Sequence, residues 1–418
     1  MALMETLRDY QSILDNERVM NFNLPGLGEE TTDDWYLTTA RWNTLDIDLR
    51  NNYCFNNVRT PAGHWGVPYK IIYYANLALE GIQHYRPAPS GHYDVAIIEG
   101  TALFHRAHAY YHLAQVFAPA FEPGTPNDRP GIVLRHEASI DEQLHRATVG
   151  KCYAAMVADL QTAAQRLPLT TPAPTRPSRA AAWALLARVY LLMADFEQAL
   201  LVADSALTVH ANLMDYADLN SASNNPFTEY NEEVLFQSQM LVTGMAPSRA
   251  NIHPDLYDAY ADGDLRKVLF FRPNTDGTYR FKGGYDGVNS GYLFNGISTA
   301  ELYLIKAECL ARLGLADEAL SVLNTLLETR WQADSFVPKT RENTPNVLYT
   351  VLEERRKELP YRGLRWPDLR RLSIEGLYTS PIVREVDGKR YELSATSIPT
   401  YTYALPEEVI DHGGYPQN

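Results

Sequence analysis

Three kinds of side-chain grouping in this 418-residue sequence could do chemistry. The first is paired carboxylates: Asp33-Asp34, Asp46-x-Asp48 and Asp262-x-Asp264. Two carboxyl groups flanking a glycosidic bond can act as acid and base, or as acid and nucleophile, when held about 5 to 9.5 Å apart. Each pair also fits helix capping and turn duty, where a short acid accepts from free backbone amides. The second is His108-Ala-Tyr-Tyr-His112, with His105 nearby. Two imidazoles one turn apart have metal-ligand spacing, but no Glu follows His108 and no third ligand is evident. They are read as polar helix positions, and neither a metal nor any other cofactor is expected.

The third grouping is aromatic. The chain carries 27 Tyr against 13 Phe, an excess of rings that end in a polar group. Two stretches concentrate such rings beside amides and charges while breaking helical periodicity: Trp42–Trp65 and Phe271–Tyr292. Trp and Tyr faces stack on sugar rings or peptide side chains, and neighbouring polar groups add direction. The expected stacking residues are Trp42, Tyr53, Trp65, Tyr279, Tyr285 and Tyr292. Their hydrogen-bonding partners would be Asn43, Asn57, Arg59 and His64. The two stretches are expected to converge on one exposed face. Trp65 has a second reading as a core residue, because it starts a helix.

The elements that must position these groups are helical. Ala180–Leu207 reads as two helices. Ser178 caps the first, and Asp195 with Gln198 opens the second. Trp183, Leu186, Ala187 and Tyr190 form an apolar face close to the tetratricopeptide signature, with Trp183 expected in the core. Aligning Ala187 with Ala307 reveals a second copy, in which Gly314 supplies the break that Ala194-Asp195 supplies in the first. Gly100–Phe117 and Val67–His84 are further helical runs, and Met1–Asn16 an amphipathic one. Arg18 to about Gly66 has no helical pattern. A hairpin is expected within Asp276–Tyr292, and another at Ile382–Leu393 around Asp387-Gly388. The fold class is therefore mostly α. Tetratricopeptide-like hairpins form a scaffold, joined by long irregular loops and decorated by small β-hairpins.

Composition narrows the partners. A net charge of -14 argues against a phosphate-backbone ligand, so no nucleic acid is expected. No apolar run approaches the ~20 residues of a membrane span. Cys54, Cys152 and Cys309 form no C-x-x-C and read as buried free thiols. Glu353–Arg371 is dense in both charges and reads as an internal ion-pair network, with Arg355 and Glu358 paired at i,i+3.

Several segments, in this order, resemble the SusD/RagB family. They are Tyr73–Glu80, Gly100–Phe117, Ala181–Tyr190, Ala300–Gly314, Glu354–Glu358 with Gly363–Arg371, and Tyr403–Pro406 with Pro416-Gln417-Asn418. Arg362 departs from the pattern, standing where the family usually has Glu. The resemblance implies one intertwined domain over residues 1–418, with parts at about 1–210 and 211–418. It also implies a non-catalytic cell-surface protein that captures a nutrient, most often a glycan and sometimes a peptide. The ligand would pass to a SusC-like TonB-dependent outer-membrane transporter. Attachment to the outer membrane would be through an N-terminal lipid on a Cys that this sequence does not contain. The matched motifs are scaffold, so they carry no site residues over. The competing readings are a secreted helical glycoside hydrolase, using a pair such as Asp33 and Asp48, and a peptide-binding member of the same family.

Overall fold

The computed structural model describes residues 5–56, 59–85, 94–139, 145–287 and 291–418. Only helices of eight residues or more are numbered. They are α1 (Leu7–Leu14), α2 (Gly63–Gly81), α3 (Val95–Phe117), α4 (Val149–Arg166), α5 (Arg179–Leu192), α6 (Phe196–Val209), α7 (Thr299–Arg312), α8 (Ala316–Glu328), α9 (Val347–Glu358) and α10 (Arg365–Ile374). From α2 to α8 each helix packs on the next, across the long interval 210–298 as well.

The α5–α6 hairpin forms for the reasons its sequence announces. Ser178 Oγ accepts from Ala181 N, and Asp195 Oδ1 accepts from Gln198 N. Ala180, Ala181, Ala184 and Ala187 are buried, bringing backbones close. The turn after α5 closes with Asp195 N donating to Tyr190 O, and the turn after α7 with Leu315 N donating to Leu310 O. The first turn places Ala194 at φ 56°, where the second has Gly314 at 80°. One expectation fails. Trp183 is half-buried, lining an open groove with Tyr190 and Val202. The alanines fill the tight contact and leave its ring at the edge.

Buried ion pairs lock the helices. Arg106 holds Asp159 through two 2.7 Å bonds between α3 and α4. Arg188 holds Glu301 at 2.8 and 2.6 Å between α5 and α7. The charge-dense segment is an internal network, but Arg355 does not pair with Glu358. Arg355 takes Asp368, while Glu358 takes Arg266 and Arg330. Cys54, Cys152 and Cys309 are free and buried.

The stretch from Arg18 to Gly66 is more ordered than its sequence promised. It contains short helices at Glu17–Met20, Leu27–Glu30, Thr39–Trp42 and Ile47–Tyr53, and strand β1 (Trp35–Tyr36). Four carboxylates pin it to distant backbone and arginines. Glu29 accepts from Trp35 Nε1 and Gly363 N, and Glu30 from Thr243 N and Gly244 N. Asp33 pairs with Arg365, and Asp34 with Arg356. Asp46 caps Leu49 N, Asp48 lies 3.9 Å from Arg59, Asp262 faces Lys267, and Asp264 binds Arg266. All three acidic pairs are thus engaged in caps and ion pairs.

Of the strands that follow, those numbered are β2 (Gln239–Leu241), β3 (Asn251–Ile252), β4 (Phe271–Pro273), β5 (Tyr279–Phe281), β6 (Tyr292–Phe294), β7 (Ile382–Val386) and β8 (Lys389–Leu393). β7 and β8 form the expected hairpin, with Asp387 and Gly388 both at positive φ. The 276–292 hairpin is redrawn. β5 pairs backward with β4, and β6 pairs with β2 instead. β1 pairs with β3, which lies beside β5.

Candidate functional site

The aromatic interval between α6 and α7 builds one half-exposed platform. Pro254 opens a short helix whose first amide, at Asp255, is accepted by His253 Nδ1. That helix carries Tyr257 to the β4–β5 hairpin. There Tyr257 stacks face to face on Tyr279, centroids 3.6 Å apart and planes 14° apart. Lys267 Nζ lies 5.2 Å from the Tyr257 ring centre. The hairpin turn is fixed by Asn274 N donating to Thr278 O and by Gly277 at φ 82°. The Asn274 side-chain amide donates to Asn251 Oδ1 on β3 at 3.2 Å, beside the platform. Next along, Tyr36 on β1 meets His253 edge to face at 6.3 Å. On the same strand face Phe271 and Phe281 continue the platform into the core, where Phe271 meets Tyr257 edge to face at 5.7 Å and Phe281 packs on Trp35 and Tyr361. Two rings, two amides and a lysine at a solvent boundary can stack on a sugar ring and bond its hydroxyls.

Of the sequence-selected residues, five keep solvent exposure. Tyr279 is half-buried in the stack, and Tyr292 is 40% exposed at the start of β6. Trp42 is half-buried, its Nε1 donating to Arg50 O while the Arg50 guanidinium lies 5.4 Å from its ring. Asn43 and Arg59 are exposed. Asn57 lies outside the described residues. The other four are corrected, because each ring is enclosed and has no face to offer a ligand. Tyr53 is buried under Arg384, and its hydroxyl accepts from Leu37 N. Trp65 is buried against Tyr69 and Phe117, its core reading. His64 is buried beside it, and burial pushes its pKa down to about 4. Tyr285 is 1% exposed, donates to Glu233 Oε2 at 2.7 Å and lies under the Arg362 guanidinium. His105, His108 and His112 are core as well, with the last two 3.1 Å apart through Nε2. Among the described residues no three His, Cys, Asp or Glu side chains are grouped to hold a metal.

Tyr257, Asn251 and Asn274 were missed. Tyr257 falls outside both chosen stretches, and only the Pro254 helix start hinted that it would be held against something. A second concavity, of about 910 Å³, lies between α8 and residues 331–342, with Trp331 and Phe336 in its lining and Glu328 and Lys339 among its charged groups.

Comparison with known proteins sets this geometry in context. A family model described as starch-binding and associating with the outer membrane matches residues 2–191, and the SusD family model matches residues 280–404. The chain belongs to the SusD/RagB family. It is 26% identical to SusD-like protein P2 of Formosa agariphila, over 74% of this chain and 71% of that one. A SusD superfamily structure from Bacteroides thetaiotaomicron matches 99% of both chains at 22% identity, with a TM-score of 0.78. A laminarin-binding SusD-like protein covers 98% of this chain and 97% of its own at 18% identity, with a TM-score of 0.69. The SusD/RagB motif residues do scaffold work here: Arg106, Arg188, Glu358 and Arg371 are all in buried ion pairs. The departing Arg362 sits 3.5 Å from the Tyr285 ring and donates to Ser298 Oγ. Its charge therefore caps an aromatic face.

Proposed function

We propose that this protein is a non-catalytic cell-surface glycan-binding protein, lipid-anchored at the outer membrane, which delivers its ligand to a TonB-dependent transporter. The observation that carries the reading is the Tyr257–Tyr279 stack beside the Asn251–Asn274 amides, in a chain of SusD/RagB membership. A laminarin-binding neighbour of similar fold supports a glycan ahead of a peptide. The engagement of Asp33, Asp34, Asp48 and Asp264 in ion pairs supports binding ahead of hydrolysis. Of the residues selected from sequence, Tyr279, Tyr292, Trp42, Asn43 and Arg59 remain in the proposed binding face, joined by Tyr257, Asn251 and Asn274. The test is calorimetric titration with a panel of marine and plant oligosaccharides, including laminarin. Tyr279→Ala should weaken the bound member by ~1–3 kcal/mol, as stacking losses do elsewhere, with melting temperature preserved and no new reducing ends. Undiminished affinity would remove the platform. Glycan cleavage by the native chain would restore the hydrolase reading.

A further inference from the structure

The β4–β5 hairpin has a second face. Side chains alternate along a strand, so the residues between Tyr279 and Phe281, and between Phe271 and Pro273, point away from the tyrosine platform. They are Arg280 and Arg272, and the ladder register sets them directly opposite one another. Lys282, two residues on, shares their face, and its amide extends the ladder by donating to Phe270 O. Like charges in directly opposed positions destabilise a sheet. A chain with 51 acidic residues could readily have placed a carboxylate between them.

Among the described residues none is there. Among them Arg272 donates only to the neutral amide of Asn224, at 2.9 Å. Lys282 Nζ donates to two carbonyls, Ser221 O and Ser223 O. Among the described residues Arg280 has no hydrogen-bond or ion-pair partner. The Nε atoms of both arginines are shielded from water and unpartnered. Burial, then the neighbouring Arg280 charge, lowers the Arg272 pKa, and burial, then Arg272, lowers that of Lys282. The strands thus hold two guanidinium forks side by side over a third cation, with the attraction that would balance them left unmade. Planar N–H forks are matched by the paired oxygens of a carboxylate or sulfate.

We propose that Arg272 and Arg280, backed by Lys282, receive an anionic substituent, a sulfate ester or a uronate carboxylate, so that the captured ligand is an acidic glycan. The inference rests on the glycan-capture reading and narrows it. A neutral glycan would leave the repulsion standing, whereas one anionic group relieves it and adds charge-assisted bonds.

Arg280→Gln is the discriminating variant, because among the described residues Arg280 makes no hydrogen bond or ion pair that the fold would lose. Its melting temperature should equal or exceed that of the native protein. Titrations use alginate oligosaccharides for carboxylate, carrageenan oligosaccharides for sulfate and laminarin for a neutral control, each at 50 and 500 mM NaCl. The expected result is binding of one acidic probe that weakens with salt, a loss of ten-fold or more in Arg280→Gln, and partial recovery in Arg280→Lys. Which acidic probe binds assigns the group. Laminarin bound in preference to both acidic probes, or an acidic probe held equally by Arg280→Gln, would overturn the inference while leaving glycan capture intact. Binding of no probe by the native chain would count against both. Arg280-dependent retention on lipopolysaccharide vesicles alone would assign the pair to a membrane phosphate and overturn it too.

Discussion

Arg266 and Arg272 are six residues apart, and the protein treats them in opposite ways. Arg266 is fully buried and carries three carboxylates, Asp264 at 2.7 Å, Glu354 at 2.6 Å and Glu358 at 3.2 Å. Arg330 joins the same cluster through Glu358 and Glu233. Arg272 is half-exposed, faces Arg280 across the hairpin and has no carboxylate among the described residues. Charge that holds the fold is neutralised within the molecule. Charge left uncompensated at the boundary is available to something outside it.

The comparison breaks most visibly at Glu358. Glu358→Ala takes one carboxylate from each of Arg266 and Arg330, leaving Arg266 with Asp264 and Glu354 and Arg330 with Glu233, and removing one partner of a buried ion pair costs about 3–5 kcal/mol. Urea denaturation should show that loss, while Arg280→Gln in the same assay should show none. Equal losses would erase the distinction between the two regions.

A second expectation concerns pH. Despite the opposing effect of burial, the Arg266 guanidinium holds Asp264 and Glu354 below the ordinary carboxylate range. Their stabilisation is present above that range and lost as pH falls through the depressed values. Glu29 has the opposite sign: burial, then the Asp34 carboxylate, raises its pKa from 4.5 to about 8. Between those values the folded state holds a proton that the unfolded chain has released, so stability falls as pH rises. The slope is at most about 1.4 kcal/mol per pH unit. Stability should peak near pH 5, and Glu29→Gln should flatten the alkaline side alone. A native profile with no alkaline decline would contradict this.

Smaller effects probe the scaffold. Ala194 holds the left-handed conformation that its repeat partner assigns to Gly314, and Ala194→Gly should gain about 1 kcal/mol. Calorimetry of the intact chain should show one transition if the α5–α6 and α7–α8 hairpins form a single body. Two separated transitions would divide it.

The helices were legible because period and capping residues are local signals. The paired repeats, the Asp387-Gly388 turn and the helical class could all be read from spacing. The platform was only half legible. Tyr53 and Tyr285 looked like Tyr279 in sequence, and only burial separates a ring whose hydroxyl is satisfied inside from one at the boundary. Asp33 and Asp34 read as a catalytic pair or as capping and turn acids, yet the arginines they bind lie more than three hundred residues away. Register likewise decided whether Arg272 would face an acid or Arg280, and sequence does not show register.

The most direct measurement is amide hydrogen exchange with and without the glycan that the titrations identify. Capture at the hairpin predicts slowed exchange in residues 251–258 and 271–281, with the α5–α6 hairpin unchanged. Protection confined to α8 and residues 331–342, around Trp331, would contradict the account and move the binding site to the other concavity.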